Sequence, residues 1–169
     1  GTAQFLLGEG DNRFFVAREG GYCEFYEDLL VSARNGADEV EIVSAYVRNN
    51  TRVDLGGCAA GRQSAQFGRA GELLWTYGLS VVGSGNTDVT VGTAGSRPAA
   101  TVAGDLTITT GFWTSRTGAE HDRITVENVE VWGRTDINTR KGVDEIALLS
   151  STFHREVTVD TGEGNDWVV

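Results

Sequence analysis

The chain contains no methionine and begins at Gly1 without a recognisable leader, so it reads as a processed product or a segment of a longer protein. No apolar run approaches the length that crosses a bilayer, and membrane insertion is not expected. Cations are scarce: 14 Lys and Arg stand against 24 Asp and Glu, a net charge of −10. That excludes the basic groove by which nucleic acid is held, so no nucleic-acid partner is expected. The two histidines, His121 and His154, lie 33 positions apart and have neither metal-ligand spacing nor a Ser-His-Asp arrangement. Both are expected at exposed corners. Of the two cysteines, Cys23 falls at an inward strand position and Cys58 in a turn. They are not expected to pair, and they indicate no redox compartment. There is one proline.

What the chain has instead is glycine, 23 residues of it, punctuating short runs of Val, Ile, Thr and aromatics. Such runs read as many short strands. The last two share a phrase. Thr135-Asp136-Ile137-Asn138-Thr139 leads through Arg140-Lys141-Gly142-Val143-Asp144 into Ile146-Ala147-Leu148. Val157-Thr158-Val159-Asp160-Thr161 leads through Gly162-Glu163-Gly164-Asn165-Asp166 into Trp167-Val168-Val169. The offset is 22 residues throughout, and a fixed period of this size marks a repeat architecture.

Equivalents of Thr161 are placed at Thr139, Thr110, Gly83, Leu55, Ala33 and Leu7, at spacings of 22 to 29 residues. Two positions before each lie Phe5, Val31, Val53, Val81, Ile108, Ile137 and Val159. All are apolar, whereas the positions between them are mostly polar, and a slip of one residue would exchange the faces. A second inward set is Phe14/Val16, Val40/Ile42, Val89/Val91, Ile124/Val126 and Ile146/Leu148, with no clean equivalent after Leu55. A third is Cys23/Phe25, Ala45/Val47, Leu73/Trp75, Ala100/Val102, Val129/Val131 and Ser151/Phe153. Longer spacings are assigned to insertions, at Phe112 to Gly118, around Ser96 to Ala99 and around Gly61 to Ser64.

Three inward runs per repeat predict an all-β fold, a parallel β-solenoid of right-handed β-helix type, with about seven coils of 22–29 residues. Residues 1–169 form one such domain. Its ends are open sheet edges, so end-to-end self-association is expected.

The phrase from Val157 to Val168 resembles the repeat of large secreted or surface bacterial right-handed β-helix proteins, which pair a Thr-rich strand with a Gly-x-Gly-Asn-Asp turn. The turn alone also resembles the Gly- and Asp-bearing repeat of calcium-binding toxin-type proteins. The resemblance implies an extracellular or cell-surface location and a non-enzymatic, adhesin-like scaffold. It also invites Ca²⁺ at Asp166 with Glu163 and Asp144, although Arg140 and Lys141 beside Asp144 oppose a cation. The Asp column is expected to be mainly structural, each carboxylate bonding amides of its own turn. No other cofactor is expected.

The alternative is a carbohydrate-active β-helix enzyme of polysaccharide lyase or hydrolase type. It would use the outer strand face, where Arg52, Asp54, Asp136 and Asp160 are the available groups. The loop bearing Phe112, Trp113 and Arg116 offers aromatics and a cation to a carbohydrate or a partner protein.

Overall fold

The computed structural model describes residues 1–17, 21–57, 61–111 and 120–169. These contain strands and turns and no helix. Every strand pairing is parallel and joins one repeat to the next, which makes the chain a β-solenoid of about six turns, consistent with a right-handed parallel β-helix.

The first face stacks seven strand segments. It begins with Ala3–Leu6 and Leu29–Ser32, passes through the long strands Ala45–Gly57 and Leu74–Ser84, and ends with Leu106–Thr109, Thr135–Asn138 and Val157–Asp160. The second face also has seven, Arg13–Val16, Glu39–Ile42, Gln63–Phe67, Thr87–Gly92, Arg123–Glu127, Glu145–Leu149 and Trp167–Val168. The third has six: Cys23–Phe25, the first parts of Ala45–Gly57 and Leu74–Ser84, Ala100–Val102, Val129–Val131 and Thr152–Phe153. Six coils are therefore three-sided, and the seventh carries only the first two faces. The two long strands turn the corner from the third face to the first, with a register shift between Val47 and Asn50.

The predicted first column is continuous. Phe5 pairs with Val31, Val31 with Val53, Val53 with Val81, Val81 with Ile108, Ile108 with Ile137, and Ile137 with Val159. Val31 to Ile137 are buried, while Phe5 at one end is 38% exposed. β-Branched residues suit this position because two pleated neighbours, above and below, pack against the same branched carbon.

Two assignments need correction. The second face has a full member in the third coil, Ala65 and Phe67, paired with Val40 and Ile42 on one side and Val89 and Val91 on the other. Gln63 and Ser64 belong to this strand rather than to an inserted loop. Gln63 occupies the place of the turn Asp, and polar Ser64 and Gln66 obscured the alternation. On the third face the inward pair of the third coil is Leu74 and Thr76, not Leu73 and Trp75. Thr76 can be buried because its hydroxyl bonds Thr51 Oγ1 at 3.0 Å, Asn49 O at 3.1 Å and Gly78 O at 2.9 Å, which offsets the cost of desolvating it. Trp75 is thereby turned outward.

Candidate functional site

Three outer regions bear the residues that could carry chemistry. On the first face, two outward columns flank the buried one. Arg52 is followed in successive coils by Ser80, Thr107, Asp136 and Thr158. Asp54 is followed by Val82, Thr109, Asn138 and Asp160. Arg52 and Asp136 are thus three coils apart, about 14 Å at the spacing of paired strands, and Asp54 and Asp160 four coils, about 19 Å. Only Asp136 and Asp160 are diagonal neighbours. Asp160 Oδ1 accepts the Gly162 amide at 3.0 Å and Asp54 Oδ1 the Gly56 amide at 3.0 Å, so both carboxylates cap their own turns.

The second region is the corner between the first and second faces. Its column runs Asn12, Asp38, Gln63, Thr87, Asp122, Asp144 and Asp166, one residue per coil. The carboxylates do not bond amides of their own turns. Each Oδ1 accepts the amide of the preceding coil: Asn12 N to Asp38 at 3.0 Å, Thr87 N to Asp122 at 2.8 Å, Asp122 N to Asp144 at 2.9 Å and Asp144 N to Asp166 at 3.0 Å. The acids are rivets between coils. The preceding glycines serve the same stacking: a Cβ on Gly164 would lie 1.6 Å from Gly142 O, a collision no rotamer relieves.

Asp38, Asp122 and Asp144 are buried. Their Oδ2 atoms have no hydrogen-bond partner among the described residues. Burial pushes the Asp122 carboxyl up to about 7. The Thr110 hydroxyl and the Thr87 amide ease its charge, while the Asp144 and Glu120 carboxylates add to the penalty. Burial likewise raises Asp144, eased by the Asp122 amide and the Thr139 hydroxyl.

These residues do not converge on a cation. Asp144 points into the interior, Asp166 is tied to the coil before it, and Glu163 is paired with Lys141 Nζ at 3.1 Å. No group of three or more His, Cys, Asp or Glu side chains suited to a metal occurs among the described residues, and Ca²⁺ wants six to eight oxygens.

The third region is the third face, which sequence reasoning overlooked. Its first outward column reads Glu24, Tyr46, Trp75, Thr101, Glu130 and Thr152. Tyr46 and Trp75 stack, with ring centroids 4.5 Å apart and planes 14° from parallel. Two residues along, Trp132 of the fifth coil stacks on His154 of the sixth at 3.9 Å and 13°. His154 Nε2 also meets Glu130 Oε1 at 3.1 Å. His154 lies at an exposed corner, as expected, and is held there by this network. Correct placement of Thr76 inside would have revealed this face, because alternation then sets Trp75 outward above Tyr46.

Cys23 is a free, half-buried thiol over Ala45. Phe112, Trp113, Arg116 and Cys58 lie outside the described residues. No family model, no curated protein and no solved structure matches the chain.

Proposed function

We propose that the chain is a non-enzymatic β-solenoid scaffold, an adhesin-like segment at the cell surface or outside the cell. The supporting observation is how its outer polar groups are used. Arg13 pairs with Glu39 at 3.1 Å, Arg123 with Glu145 at 2.7 Å and Lys141 with Glu163 at 3.1 Å. Arg62 pairs with Asp88 and Arg134 with Glu156. Each pair joins one coil to the next. Exposed pairs of this kind contribute at most about 1 kcal/mol each, and a catalytic centre would need such groups to converge on one point. Here they are dispersed along the axis.

The second reading, a carbohydrate-active enzyme, rests on the diagonal pair Asp136 and Asp160. Incubation with acidic polysaccharides should release no unsaturated uronate ends and no new reducing ends. Product formation that disappears in Asp136→Ala would overturn the scaffold reading.

The Asp column is read as structural. Asp144→Ala removes the acceptor for the Asp122 amide and should cost about 1 kcal/mol, by the same amount in calcium and in chelator. Thermal melts of both proteins in both buffers check this. A calcium-dependent rise in Tm that Asp144→Ala abolishes would show the column to be a cation site.

A further inference from the structure

The third face changes character at the fourth coil. In the first outward column, Thr101 stands between Trp75 and Glu130. In the second, Ala103 stands between Tyr77 and Trp132, since Ala103 N bonds Thr76 O and Trp132 N bonds Val102 O. Two small side chains therefore lie between coils that carry large ones. The wall-to-wall separation is two coil steps, about 9.6 Å between backbones. The result is a trench across the solenoid axis, floored by Thr101 and Ala103.

The walls are ring faces. The 4.5 Å separation of Tyr46 and Trp75 is close to the strand spacing of about 4.8 Å, so the ring normals run along the axis. Tyr46 covers one face of the Trp75 indole, and the other is turned toward the trench. On the other wall, one outward column along, His154 covers one face of Trp132 and leaves the other toward the trench. Trp132 is 51% exposed. Each indole is backed by a second ring, which limits its rotamers, so little entropy remains to be lost on binding. The Tyr77 ring borders the trench, since a Cβ on Gly104 would touch its Cε1 at 3.1 Å. Glu130, anchored by His154, sets a carboxylate beside Thr101.

We propose that this trench binds two pyranose units of a neutral polysaccharide. The proposal deepens the adhesin-like reading and rests on it. A pyranose chair offers C–H groups on both faces and hydroxyls at its rim. The two indoles stand on opposite walls but one outward column apart, so each meets the C–H face of a different unit of a disaccharide, while the Glu130 carboxylate and Thr101 hydroxyl meet the rim, a charged acceptor giving the stronger bond. Charge selects the ligand class. With a net charge of −10 and Glu130 in the wall, a polyanionic glycan is repelled. His154, whose imidazole could otherwise meet an anion, is already engaged with Glu130.

Intrinsic tryptophan fluorescence and calorimetry with cellohexaose, xylohexaose, mannohexaose and chitohexaose test this. At least one should bind, with little dependence on salt. Trp75→Ala and Trp132→Ala should each weaken it roughly tenfold or more, and Trp167→Ala on the last coil should leave it unchanged. Thr101→Trp, which fills the trench and leaves both walls in place, should abolish binding while the circular dichroism melt is retained. That variant keeps the test sharp if removal of a wall tryptophan perturbs folding. Failure of all four sugars to bind overturns the proposal, as does binding indifferent to Thr101→Trp or a preference for hexagalacturonate. Cleavage of a bound sugar would overturn the scaffold reading and leave the trench standing. Absence of both binding and cleavage would overturn the trench alone.

Discussion

Asp122→Asn should stabilise the protein at pH 8 and have little effect near pH 4. Asp122 is fully buried, and its carboxyl is pushed up to about 7 from 3.8, first by burial. A carboxyl raised on folding binds its proton more tightly in the folded chain. Its contribution is therefore complete below the unfolded value near 3.8 and is lost as pH rises through about 7. The interval between those values corresponds to roughly 4 kcal/mol. Asparagine keeps the oxygen that accepts the Thr87 amide and removes the buried charge. The difference between the variant and the parent should consequently grow across that window and level off above it. Denaturant unfolding of both proteins at a series of pH values measures it. A difference that stays flat with pH would mean that the buried carboxylate is compensated by a partner. Asp144, raised in the same direction, should steepen the parent's own decline.

Ile108→Ala should cost about 2–5 kcal/mol, whereas Phe5→Ala should cost less than half as much. The two residues hold the same place in the repeat and belong to one column. Ile108 is fully buried between Val81 and Ile137, so truncation leaves a cavity that the coils above and below cannot collapse into without breaking register. Phe5 is 38% exposed, with a covering coil on one side only. In a stack held by nearest-neighbour contacts, position along the axis decides the cost. Chemical unfolding of both variants checks the ratio, and equal losses would show that the terminal coil is as tightly packed as the middle.

The architecture was legible because the repeat imposes the same test seven times. A residue facing inward in one coil must face inward in all of them, and a column of Val and Ile at the predicted positions survives no other register. The turn acids were legible for a related reason. A Gly followed by Asp two residues later recurs at Gly36, Gly142 and Gly164, where the turn of one coil closely approaches that of the coil before it, as Gly164 does over Gly142.

The errors came where local chemistry and the repeat disagreed. Ser64 and Gln66 made the third coil of the second face look like loop, and Trp75 looked more suitable for the interior than Thr76. Hydrophobicity assigns faces one residue at a time. It cannot count the three oxygens that accompany Thr76 inside, because two of them, from Asn49 and Thr51, come from the neighbouring coil.

The sequence by itself determined the fold class, the period, the buried first column and the corner at which carboxylates would gather. Tertiary structure alone decided what those carboxylates bond, since the amides they accept lie in the preceding coil, 22 to 35 positions away. It also decided that Tyr46, Trp75, Trp132 and His154 share one face around a coil of small residues. Their alignment depends on loop lengths that vary from coil to coil, and only stacking cancels that variation by holding each strand in register with its neighbours.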